Sequence, residues 1–279
     1  MLDDKVATLN GVYARNSSSL GALLLLLLEV VATSGDEYQY IWRRPRTAVN
    51  YLYLFSRYFG IISQTINCSM IFGPLSRRPV RPDLCNAWMH FEMISAQLLL
   101  TTLEGILMWR VYALYQQSWR VGTFLTSVFI LDIILAAILG RRTLPMLQFD
   151  ELCTGYGAPR DVLYFGASVL ATQSMIWVMT FLKRNIACGG APVVHLMIRD
   201  GVCVFVLLCA IFSVSIPYSF LESLAAHIVF FWPISLMSIA TCRVILNMQR
   251  LKVPSASLSD IEFTSHIGIS ISNISSYTL

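Results

Sequence analysis

Apolar runs of membrane length recur along this chain, and no other feature restricts its fold so tightly. A hydrocarbon layer about 30 Å thick takes roughly 20 residues of helix to cross, because every backbone amide and carbonyl must be satisfied within the crossing segment. Six stretches meet that length: residues 48–72, 86–112, 121–140, 161–182, 201–218 and 224–246. Composition agrees, since 56% of residues are hydrophobic and 13% charged, against about 25% charged in soluble domains. The 20 basic and 16 acidic side chains leave a net charge of +4, and the basic ones gather at the ends of the apolar runs. That is the pattern of membrane-helix flanks and argues against a nucleic-acid partner.

A seventh crossing is expected at residues 12–34. Its uninterrupted core, Leu20 to Leu28, has the length of a signal-peptide core, and Val31-Ala32-Thr33-Ser34 can be read as a small-residue cleavage site, which would leave six crossings. Against cleavage, extension back to Val12 gives membrane length, and Glu29 is foreign to a signal core. The expected fold is therefore all-α, a polytopic membrane bundle of seven transmembrane helices within residues 1–252. Residues 183–200 read as a polar connection and 219–223 as a tight turn that makes the last pair a hairpin. The Ser- and Thr-rich segment 253–279 reads as a disordered cytoplasmic tail open to phosphorylation.

Orientation follows from the arginines. With the N-terminus outside and the C-terminus in the cytoplasm, the inner side carries more Lys and Arg than the outer side, led by Arg43, Arg44 and Arg46 after the first helix. The expected location is the plasma membrane or an endomembrane. Cys68, Cys203, Cys209 and Cys242 lie in or at the ends of spans and Cys188 in an inner connection, where they act as small apolar fillers or free thiols. Cys85 and Cys153 both fall outside in this topology, and an oxidising compartment favours a disulfide between them.

Several strings carry a resemblance: Asp36-Glu37-Tyr38-Gln39-Tyr40-Ile41-Trp42-Arg43-Arg44 followed by Phe55-Ser56-Arg57-Tyr58; Trp109-Arg110-Val111-Tyr112-Ala113-Leu114-Tyr115; Arg199-Asp200-Gly201; and Cys242-Arg243-Val244-Ile245-Leu246-Asn247. Together they resemble an uncharacterised family of multi-pass proteins from mushroom-forming (basidiomycete) fungi whose N-terminal module is a domain of unknown function. The resemblance runs to about Arg250 and implies seven spans with the first helix retained. It departs at Cys242, where the family often has Ser. It implies no activity.

Polar residues inside the spans are the candidate functional ones, because charge at membrane depth is costly and faces the bundle interior. In the second helix Asn50, Tyr53, Arg57, Gly60, Gln64 and Asn67 follow a three-four spacing and share one face. In the third, His90, Gln97 and Glu104 recur every seven residues, with Thr101 beside them. Arg57 lies about nine residues, or ~14 Å, from the inner start of its helix, and Glu104 at a similar depth from the other direction. The expectation is an Arg57–Glu104 ion pair, with Glu29 as a competing or additional partner. Asp132 is a further intramembrane carboxylate. The same groups serve equally as interhelical glue.

Two functional classes compete. Seven spans, an outer disulfide on the third helix and a phosphorylatable tail resemble the layout of G-protein-coupled receptors, with a small-molecule ligand and a cytoplasmic signalling partner as expected partners. Arg110-Val111-Tyr112 is similar to the receptor Asp-Arg-Tyr string, but Trp109 stands in place of the acid. The alternative is a transporter or ion-pathway protein that uses Glu29, Arg57, Glu104 and Asp132, although no internal repeat supports it. A retinal protein is disfavoured, because Lys5, Lys183 and Lys252 all lie outside the last helix. A membrane hydrolase is a distant third. The four histidines His90, His195, His227 and His266 are scattered, and no metal-binding string occurs, so no cofactor, metal or catalytic residue is expected.

Overall fold

The computed structural model describes residues 2–43, 47–76, 80, 82–146, 148–149, 153, 155–156, 159–186, 192–220 and 231–251. Among them are seven long α-helices: α1 (Leu2–Glu37), α2 (Ala48–Phe72), α3 (Pro82–Leu114), α4 (Trp119–Met146), α5 (Pro159–Ile186), α6 (Pro192–Phe220) and α7 (Trp232–Leu251). A π-helical turn, Tyr38–Trp42, prolongs α1, and a 3₁₀ turn, Pro74–Ser76, follows α2. Two two-residue strands, Gln148–Phe149 and Gly155–Tyr156, pair antiparallel between α4 and α5.

Proline sets three of the starts. Pro82, Pro159 and Pro192 each open a helix, where the missing N–H is no loss. The start at Pro192 corrects the expected polar connection at 183–200, because its second half is the first two turns of α6. The expected turn at 219–223 lies largely outside the described residues, as do the segment 253–279, Cys188, His227 and His266.

Among the described residues four segments are long and apolar enough to cross a membrane: Asn10–Trp42, Pro82–Leu114, Trp119–Thr143 and Leu163–Lys183. The third of these leaves Phe124, Ile130, Leu131, Ile134 and Ile138 exposed. An apolar surface of that extent suits hydrocarbon as its solvent.

Helices α2 and α7 pack against each other and each against both α1 and α3, while α3 also meets α4 and α5, and α6 lies against α5 and α7. Leu99, Leu100, Leu103, Leu208, Ile234 and Ile245 form the dry centre. At Gly60 a Cβ would stand 2.6 Å from Ser238 Oγ, so glycine lets α2 approach α7. Ser238 uses that proximity to donate to the Ser56 carbonyl at 2.8 Å.

The two ends of the bundle differ in chemistry. At one end Cys85, at the start of α3, is disulfide-bonded to Cys153, with Ala22, Ile71, Trp88 and Phe231 packed around the bridge. The opposite end carries ion pairs.

Candidate functional site

The polar face of α2 is turned inward: Asn50, Tyr53, Arg57, Gly60, Gln64 and Asn67 are all buried. Arg57 does not pair with Glu104. Its Nη2 lies 2.9 Å from Glu37 Oε2, with both side chains more than nine-tenths buried. Arg57 also donates to Thr33 Oγ1 at 2.8 Å, to the Val30 carbonyl at 2.8 Å and to the Tyr53 hydroxyl. Glu37 accepts two further bonds, from Trp42 Nε1 at 3.1 Å and the Tyr58 hydroxyl at 3.3 Å. One guanidinium thus ties three successive turns of α1 to α2.

The expected pair fails on depth, by about 7.5 Å along the helix axis, as well as on angle. The Trp88 Nε1 bond to Asn67 Oδ1, 3.1 Å long, fixes the antiparallel register of α2 and α3 and sets Arg57 roughly level with Leu99. Five residues on, Glu104 is rotated by about 140° at 100° per residue, toward α4 and α5. There it accepts from Gln173 Nε2 at 3.5 Å and has Asp132 as its charged neighbour. Glu29 is not a partner of Arg57 either. It forms a two-point pair with Arg243 of α7, Nε to Oε1 and Nη2 to Oε2 both at 2.7 Å.

His90 and Gln97 are half-buried and bond locally, His90 Nδ1 with the Asn86 carbonyl at 2.7 Å and Gln97 Nε2 to Thr101 Oγ1 at 3.3 Å. Neither joins the charged groups. Gln64 is fully buried with both side-chain polar atoms unpartnered. The candidate residues therefore fall into separate groups rather than one cluster.

A third polar group was not anticipated. Arg110 of α3 lies 3.5 Å from Asp200 of α6 through Nη1, and its Nη2 donates to the Val244 carbonyl of α7. Asn247 of α7 donates to Asp200 Oδ1 at 3.1 Å. Three helices are joined through two charged side chains and one amide. Beside Arg110 is a cavity of about 20 Å³, room for one water, whose lining includes Gln173, Thr180 and Gly201. Arg250 pairs with Asp36 and Gln249 Nε2 donates to Asn50 Oδ1 at 3.4 Å, so α7 is also bonded to α1 and α2 at this end.

A signal for this group was present. The positions Cys85, Trp88, Glu92, Ser95, Leu99, Leu103, Ile106 and Arg110 keep a three-four spacing, and all are buried. The buried face of α3 thus runs from the disulfide through Glu92 to Arg110. The seven-residue recurrence of His90, Gln97 and Glu104 marks a different face, half-buried at His90 and Gln97 and buried at Glu104. Among the described residues no group of three or more His, Cys, Asp or Glu is arranged to hold a metal ion.

Residues 17–62 match the model of a family described as a family of unknown function (DUF6533). That segment takes in the later half of α1 and the first half of α2, and so contains Glu29, Val30, Thr33, Glu37, Tyr53 and Arg57. No curated protein and no solved structure matches the chain.

Proposed function

We propose that this chain is a seven-span integral membrane receptor or sensor whose third helix is held at both ends by unlike devices. The observation that carries the reading is the contrast along α3. Cys85 anchors one end covalently, whereas Arg110 holds the other through a polar contact with Asp200 and Val244. A covalent anchor fixes a pivot, and a polar latch between three helices is a two-state element that a bound ligand or partner can bias. The disulfide belongs in an oxidising compartment, which supports an outward Cys85 end, an outside N-terminus and a cytoplasmic latch. On this reading the outer half takes a small-molecule ligand, the latch end meets a signalling partner, and segment 253–279 is a cytoplasmic tail. The location is the plasma membrane or an endomembrane of a mushroom-forming fungus, as the sequence resemblance implies.

A second reading has its own support. Asp132, Glu104, Gln173, the water-sized cavity and Arg110 follow one another toward the latch end, as a proton or ion pathway would. One experiment separates the two. A promiscuous biotin ligase fused to the C-terminus of the full chain is expected to label G-protein or arrestin-like subunits, more strongly in an Asp200→Asn variant. Labelling without any signalling protein, together with proton or alkali-ion flux in proteoliposomes that Glu104→Gln abolishes, would replace the receptor reading by the transport one.

A further inference from the structure

Glu92 is a carboxylate buried in α3, 5% exposed, and neither of its oxygens has a hydrogen-bond partner. Gln64 of α2, with no exposed surface, has neither side-chain polar atom partnered, and the Ser63 hydroxyl and Asn67 Nδ2 are in the same condition. These groups share one level of the bundle. Trp88 Nε1 donates to Asn67 Oδ1, and the helices run antiparallel. Three residues back along α2 to Gln64 and four forward along α3 to Glu92 are steps of about 4.5 and 6 Å in the same direction.

Helix α7 closes the third side. The Phe231 ring centroid is 6.1 Å from that of Trp88, and Ser235, one turn further, is fully buried and donates to the Ala22 carbonyl of α1 at 3.0 Å. Glu92 therefore stands where α1, α2, α3 and α7 meet.

Among the described residues no cation serves it. Ser19 and Cys68 are in contact, which places Gln64 level with about residue 23 of α1. Arg15 is then eight residues, about 12 Å, nearer the disulfide end. Arg57 is two turns of α2 toward the other end and is engaged by Glu37. A carboxylate without counter-charge or donor is the least tolerable group in a membrane interior.

One negative charge level with the neutral oxygens of Gln64 and Ser63 is the donor set of a hard, univalent ion, since hard cations take oxygen ligands and a divalent ion would leave excess positive charge in a medium of low dielectric. We infer that Glu92, Gln64 and Ser63 bind a monovalent alkali cation of the size of sodium at this four-helix junction. The site is separate from the latch and stands whether the chain signals or transports.

The test uses the full chain purified into nanodiscs, with radioactive sodium binding and thermal unfolding in sodium chloride against N-methyl-D-glucamine chloride at equal ionic strength. Saturable sodium binding at about one ion per chain is expected, with a midpoint that rises with the logarithm of sodium concentration. Glu92→Gln, which removes the charge at constant volume, is expected to abolish both effects. Gln64→Leu is expected to weaken binding by about tenfold or more. The wild-type binding measurement decides the matter even where Glu92→Gln fails to fold. No saturable sodium binding to the folded wild type would overturn the assignment. So would binding unchanged in folded Glu92→Gln, or an unfolding midpoint that follows pH alike in both salts.

Discussion

Arg57→Met is expected to destabilise the bundle by about 3–5 kcal/mol, the range found when one partner of a buried ion pair is removed. The substitution keeps the aliphatic stem but withdraws every bond that Arg57 makes to Thr33, Val30 and Glu37, and so releases three turns of α1 from α2. Glu37 is left with Trp42 and Tyr58 as donors and no counter-charge. Glu37→Met is expected to cost less, because Arg57 keeps three neutral acceptors. The double variant is expected to be more stable than the sum of the two single losses predicts, since it leaves neither charge alone. Thermal unfolding of the four proteins of this cycle in nanodiscs measures the coupling. Strict additivity would mean that the two charges do not interact.

Arg110→Met is expected to separate α3 from α6 at the latch end as well as to destabilise by about 3 kcal/mol, at the low end of the buried-pair range because the pair spans 3.5 Å. Asp200→Asn keeps an oxygen for Asn247 and is expected to lose about 1–2 kcal/mol, the upper range for interhelical polar contacts in membranes. Spin labels at the exposed positions Ala113 and Val202 report the separation. One narrow distance is expected in the parent, and a broader, longer distribution in Arg110→Met. An unchanged narrow distance in a folded Arg110→Met protein would show that packing, rather than the polar contact, holds α3 to α6.

The helical architecture was legible because length and period speak directly. Apolar runs of membrane length marked the positions of the helices, and the three-four spacing from Asn50 to Asn67 marked the buried face of α2. Partners were less legible, because an ion pair depends on rotation about two axes and on where helices end. Glu37 lay beyond the expected end of the first helix, yet α1 continues through it and reaches Arg57. Asp200 lay in an expected loop, yet α6 begins at Pro192 and sets it against Arg110. Depth counted from the expected span ends matched Arg57 with Glu104, whereas the register of α2 and α3 sets them about 7.5 Å apart along the axis and about 140° apart in rotation.

The strings that carry the resemblance explain part of what was missed. Arg110, Asp200, Val244 and Asn247 come from three of them, and all four meet at the latch end. Charged residues near span ends read first as flanks facing lipid head groups, so opposite charges at the same end are the cue to look for pairs. Glu92 gave a different cue, an acid on the same three-four face as Cys85 and Arg110.

The claim on which the rest depends is that the Cys85 end of the bundle faces outward and the Arg110 end faces the cytoplasm. Glycosylation acceptors introduced in an N-terminal extension, after Gly73 between α2 and α3, and at Gln116 between α3 and α4 test it directly. The account predicts modification at the first two positions and none at the third. Modification at Gln116, or none at the other two in a chain that reaches the membrane, would contradict it.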